Sequence, residues 1–249
     1  MLTDKISLIG RRVLKVNDKI TLRIPTINQL RDNTIQEEII DNNLFWQEVN
    51  LFIQTPSDNI SELDSIGIDF EQISEYLFFL LMFQTMRETR KGKESVLFMG
   101  LDFWNLEVSG TDVLTLNDKD GVVIDENIFN KLSSIISYMT CREKTKPKKF
   151  GNAYAKRKRI EQDYKNKSKN LKSDDNNKSD PFDGMILRLV CNSNFPYDFQ
   201  TIGNVTLFEF IYSIKQIDKD MAINDLMTSR FYGNDLRKIP LSELSRYVI

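Results

Sequence analysis

Between Arg142 and Lys172 the chain carries thirteen Lys/Arg against three acidic residues, Glu143, Glu161 and Asp163. The formal net charge of the whole is −2, so this window holds +10 and the remainder −12. Such segregation reads as a charged arm beside an acidic body, and its local field steers anionic partners even when the molecule is near neutral. It divides the chain into an α+β body over residues 1–141, a basic arm with a polar linker over 142–180, and a helical C-terminal piece over 181–249. The last piece is short for a core of its own and can complete the first one.

Several chemistries are missing. There is no histidine in 249 residues, which removes the usual general base near neutral pH and the commonest metal-binding imidazole. Cys141 and Cys191 stand alone, without a CxxC or a Cys/His pairing. The cations Arg142 and Lys144 beside Cys141 could favour a thiolate, but Cys141 reads as an ordinary reduced cysteine at the end of a helix. Gly92-Lys93-Glu94-Ser95 lacks the spacing of a phosphate-binding loop, and no GxGxxG or GxSxG occurs. Asn117-Asp118-Lys119-Asp120-Gly121 has a calcium-loop look, but without anchoring carboxylates at both ends it reads as a hairpin turn. In Gly67-Ile68-Asp69-Phe70 and Gly100-Leu101-Asp102-Phe103 the glycine permits a turn, Asp caps local N–H groups and Phe enters the core. The expectation is a non-enzymatic protein with no cofactor and no metal site.

The N-terminus, MLTDKISLIGRR, has no apolar stretch of signal-peptide length. The longest uninterrupted apolar run, Leu77–Phe83, falls far short of the roughly 20 residues of a membrane span. These features predict a cytosolic, reducing compartment and no membrane partner.

The fold class expected is α+β, predominantly helical, with two β-hairpins. Residues 13–24 alternate around Asn17-Asp18-Lys19 as a hairpin does, and Val113–Leu116 with Val122–Ile124 form a second. Thr26 with Gln29 makes a capping-box pattern that opens helical character lasting to about Phe52. Thr55–Asp58 breaks it before a short helix over Asn59–Ile66. Ile73–Met86 is apolar enough for a helix buried on most sides, and Arg87–Glu94 reads as a charged loop. Strands are expected around Val96–Met99 and Leu101–Val108. Asp125 caps a helix to about Thr140, with Ile128, Leu132, Ile135, Ile136 and Met139 on one face. Ala153–Leu171 is helix-compatible but lacks an apolar stripe, and Ser173–Asp180 is a low-complexity linker. Two core helices, Met185–Cys191 and Val205–Ile217, follow, the second continuing through Asp218–Thr228 to a turn at Arg230–Asn234.

The candidate binding residues are the arm's cations Lys148, Lys149, Lys156, Arg157, Lys158 and Arg159, with the aromatics Tyr154 and Tyr164. Three readings stay open. The arm can be solvated or folded onto the chain's own acidic body; it can grip an acidic protein; or it can contact phosphates while its tyrosines stack on bases.

Several stretches, in order, resemble a family of tail-module proteins from bacteriophages of Gram-positive hosts. They are Ile20-Thr21-Leu22-Arg23-Ile24-Pro25-Thr26, Gly67-Ile68-Asp69-Phe70 leading into Ile73-Ser74-Glu75-Tyr76-Leu77-Phe78, Leu101-Asp102-Phe103, Gly151-Asn152-Ala153, Leu189-Val190-Cys191-Asn192 and Phe231-Tyr232-Gly233-Asn234. The resemblance implies a tail or baseplate assembly chaperone in the host cytoplasm, binding an unassembled tail or tape-measure protein. A structural tail or baseplate component of the virion is the alternative within that class. A nucleic-acid-binding protein using the basic arm is the alternative outside it.

Overall fold

The computed structural model describes residues 8–31, 41–110, 115–117, 121–146, 149–173, 181–192 and 195–231. The chain is α+β and predominantly helical, with one two-stranded and one three-stranded antiparallel sheet among those residues. Strands β1 (Val13–Lys15) and β2 (Thr21–Arg23) pair with buried Leu14 opposite buried Leu22. The Asn17 side chain closes the turn, accepting from the Lys19 and Ile20 N–H groups. Thr26 then caps α1 (Ile27–Arg31): its hydroxyl accepts from the Gln29 N–H while the Gln29 side chain accepts from the Thr26 N–H.

The helix expected to persist from Thr26 to Phe52 is divided. A second helix, α2 (Asn42–Ile53), has its own start at Asp41, whose backbone leaves helical geometry and whose carboxylate accepts from the Leu44 N–H. A 3-10 turn at Pro56–Asp58 leads to the short α3 (Ile60–Ser65). Helix α4 (Glu75–Arg90), capped by Ser74, runs through the first half of the segment expected to be a charged loop and leaves residues 91–94 outside it. Its last turn is anchored at two points, Arg87 pairing with Glu107 at 3.0 Å and Arg90 donating to Gln47 at 2.6 Å. Cations there also suit the negative end of the helix dipole.

Two expected strands are replaced. Residues 96–99 meet β2 only through the single bridge Leu22↔Phe98, with Arg23 N–H to Leu97 C=O and Met99 N–H to Thr21 C=O. Their other N–H groups bond to side chains instead of a neighbouring strand: Val96 and Leu97 to the Glu48 carboxylate, Phe98 to the Ser95 hydroxyl. Further on, Phe103 and Trp104 are adjacent and both fully buried, which a strand with one face to solvent would not give. A 3-10 turn at Phe103–Asn105 turns both rings inward, and the strand β3 is only Glu107–Ser109. It pairs with β4 (Thr115–Asn117), which pairs with β5 (Val123–Ile124). The second hairpin is thus present, while its turn residues 118–120, and with them most of the calcium-like loop, lie outside the described residues. Asp125 caps α5 (Glu126–Met139) by accepting from the Ile128 N–H, and Leu132, Ile136 and Met139 are buried.

Phe52 is the hub of the core. Its ring lies 5.0 Å from that of Phe79, 5.7 Å from Phe98, 6.0 Å from Phe103 and 6.1 Å from Phe129. Aromatic pairs at such separations contribute about 0.5–1.5 kcal/mol each beyond area burial. The same cluster includes Ile186 and Leu189 of α7 (Pro181–Val190) and Leu207, Phe208 and Phe210 of α8 (Leu207–Phe231). Residues 25–27 and 205–207, far apart in sequence, are joined by backbone bonds, Leu207 N–H to Pro25 C=O and Ile27 N–H to Val205 C=O. Helix α8 is continuous through 218–228 and reaches Phe231, so the described part of the expected turn at Arg230 is still helical. A second, smaller cluster of Ile60, Leu63, Phe70 and Phe78 lies under the basic segment.

Candidate partner-binding helix

The basic segment contains α6 (Ala153–Ser173). Its N-terminus is capped from within, the Asn152 side chain accepting from the Ala155 N–H at 2.8 Å. The helix has a docking stripe after all, but a mixed one. Lys156, Ile160, Asp163 and Tyr164 fall at i, i+4, i+7 and i+8, so they share one face. That face lies on α3 and on the loop between α3 and α4.

Lys156 is clasped by two carboxylates, at 2.5 Å from Asp69 and 2.9 Å from Glu71, with its ammonium 5.0 Å from the centre of the Phe70 ring. The bonds to Lys156 hold both carboxyls below the usual range. Burial on its own pulls the Lys156 ammonium down, but its bonds to Asp69 and Glu71 outweigh this and leave it raised. Ile160 packs on the smaller apolar cluster. Asp163 accepts from the Ser61 N–H and hydroxyl, capping the N-terminal turn of α3 from another element. Tyr164 donates its hydroxyl to the Ser61 carbonyl at 2.9 Å. Phe150, just before the helix, sets its ring against Phe70 and its N–H on Glu71.

Two of the cations preceding α6, Arg142 and Lys144, also meet the body. Arg142 stacks 4.2 Å from the Trp46 ring centre and donates to Asn50. Lys144 pairs with Glu75 at 2.5 Å.

The candidate residues therefore separate by direction. Lys156 and Tyr164 engage the body, and Arg159 is half-buried with its Nε lacking a hydrogen-bond partner. Lys149, Arg157 and Lys158 are exposed, and Tyr154, at 76%, is the most exposed large apolar side chain among the described residues. Tyr154 and Lys158, at i and i+4, form an outward ridge with Arg157 on its flank. Lys148 lies outside the described residues.

The Gly67 and Gly100 turns take left-handed backbone, φ +73° and +69°, with Phe70 and Phe103 buried after them as expected. Asp69 caps the Glu71 N–H and also holds Lys156; the second role needs the fold to be seen. Glu48 is the functional-looking group that sequence reasoning passes over. It is fully buried, and burial pushes its carboxyl up while bonds from Leu97, Ser95, Trp104 and Val96 oppose the shift. Ser95 borders a cleft of about 470 Å³, but its hydroxyl donates to Glu48 and accepts from the Phe98 N–H, which ties it into the fold. Among the described residues no three of His, Cys, Asp or Glu gather as a metal-binding group. No described helix is long and apolar enough to cross a membrane. No protein-family model, curated protein or solved structure matches this chain.

Proposed function

We propose that this chain is a non-enzymatic binding protein of phage tail assembly. In this reading it holds an acidic surface of an unassembled tail or tape-measure protein in the host cytoplasm and lets it go during assembly. The observation that carries the binding part is the division of α6 into an anchored face and an exposed cationic ridge of Tyr154, Arg157 and Lys158. A ridge fixed to a folded body presents its charges in one direction, so a complementary acidic patch is met without the helix having to order on binding. Contacts between exposed charges are weak and screened by salt, which suits a partner that must later be released. The tail-assembly part rests on the resemblance of the ordered short stretches.

The test is affinity capture of the tagged full chain from its native producing cells, split into nuclease-treated and untreated halves. One defined protein should be recovered in both halves and be washed off by moderate salt. Recovery of nucleic acid, with co-captured proteins disappearing on nuclease treatment, would replace this reading with the nucleic-acid one. A fixed copy number of the chain in finished particles would replace the chaperone role with a structural one.

A further inference from the structure

Lys156, Arg157, Lys158 and Arg159 point in four directions around α6, because each residue advances about 100° along a helix. While the helix lies on α3, Lys156 is bound by Asp69 and Glu71 and Arg159 is half-buried. Only part of the arm's charge is then open to a partner. Freed from the body, the same helix would offer all four cations and both tyrosines.

We infer that α6 is a self-docked latch: its outer ridge meets an acidic partner weakly while the Asp69–Glu71 clasp holds the inner face, and release of that face adds Lys156 and Arg159 to the contact, so that clasp and partner compete for Lys156 and the released form binds more strongly. This rests on the proposed reading of α6 as the partner-binding element. Three features of the seam fit a latch. Its charged groups are only partly covered, with side-chain exposures of 23% for Lys156, 33% for Asp69 and 21% for Glu71, so salt and competing anions can reach them. The described apolar content of the helix's docking face is small, Ile160 on the smaller cluster, whereas the main core does not include α6. The Asn152 cap belongs to the arm itself, so the start of the helix does not depend on the body. The clasp also resembles a partner chemically, because it already offers Lys156 two carboxylates. A binding state populated only in part lowers apparent affinity by that fraction.

The test compares two charge-matched variants of the full chain. Asp69→Asn with Glu71→Gln opens the clasp; Glu88→Gln with Glu94→Gln removes the same charge at exposed positions away from it. Amide hydrogen exchange over residues 153–165 and affinity for poly-L-glutamate are measured for both and for the wild type. The clasp variant should exchange faster over 153–165, keep its α4 and α5 protection, and bind polyglutamate about threefold or more tighter than the control variant. Faster exchange with affinity equal to the control would overturn the competition. Unchanged exchange would show that the clasp does not hold the helix. Absence of polyglutamate binding by every variant would instead remove the parent reading, and the competition with it.

Discussion

A fully buried glutamate decides the conformation of residues 95–104. Glu48 accepts from the Ser95 hydroxyl at 2.8 Å, the Leu97 N–H at 2.8 Å, the Trp104 indole at 3.0 Å and the Val96 N–H at 3.3 Å. All four are donors, so the site needs an acceptor on both oxygens. Glu48→Gln turns one oxygen into an N–H₂ facing donors, and should destabilise the fold by about 1–3 kcal/mol, read from the urea midpoint at neutral pH. The pH dependence has a definite sign. The native carboxyl holds its proton to higher pH than the unfolded one, so this group's contribution is greatest below the ordinary glutamate range and falls as pH rises above it. The wild type should therefore lose some stability over that window relative to Glu48→Gln. Glu48 was not legible as special, because α2 shows a glutamate at a position that only burial distinguishes. The cap at Asp125 was legible, since an acidic residue before a periodic apolar run needs no tertiary partner. Thr206 and Glu209 carry an equally readable capping-box spacing, and Glu209 adds a bond to the Gly10 N–H that no local pattern announces.

Among the elements, α6 is where local pattern and tertiary outcome differ most. Its docking face alternates cation, aliphatic, carboxylate and phenol, so a search for apolar periodicity passes over it. Each group is matched by a specific partner on α3 or the loop after it, and those partners are distant in sequence. The seam should respond to pH at both ends. Asp69 and Glu71 are held below the usual carboxylate range and Lys156 above its usual value. Docking is then strongest above the ordinary carboxylate range and below the ordinary lysine range. It weakens as pH falls through the lowered carboxyl values, and again as pH rises through the raised lysine value. Hydrogen exchange over 153–165, corrected for intrinsic rates, should show protection lost as pH falls below the ordinary carboxylate range while α5 is still protected. Simultaneous loss over both helices would mean that α6 is not a separable element. The apolar periodicity of α4 was readable, but its end was not: Arg87 and Arg90 looked like loop until Glu107 and Gln47 supplied their partners.

At the scale of the molecule, one core draws on both sides of the basic segment. Phe52→Ala removes the ring shared by α2, α4, α5 and the 3-10 turn, and should destabilise by about 3–5 kcal/mol in thermal or urea unfolding. The same variant should also loosen α7 and α8, seen as one cooperative transition by fluorescence and circular dichroism. Separate transitions would show that the C-terminal helices form their own unit. The mean charge of the chain conceals its organisation, since Lys144 and Lys156 are matched by body carboxylates while Arg157 and Lys158 stay exposed on the outer ridge. In the proposed reading α6 turns one face to the body and another to a partner. The most direct measurement captures the partner with two variants that each remove cations from this helix. Arg157→Gln with Lys158→Gln alters the outer ridge, and Lys156→Gln alters the clasped face. The outer variant should lose the captured protein, while the inner variant should retain it at least as well as the wild type. Loss by both variants in proportion to charge removed, or retention by both, would contradict that reading.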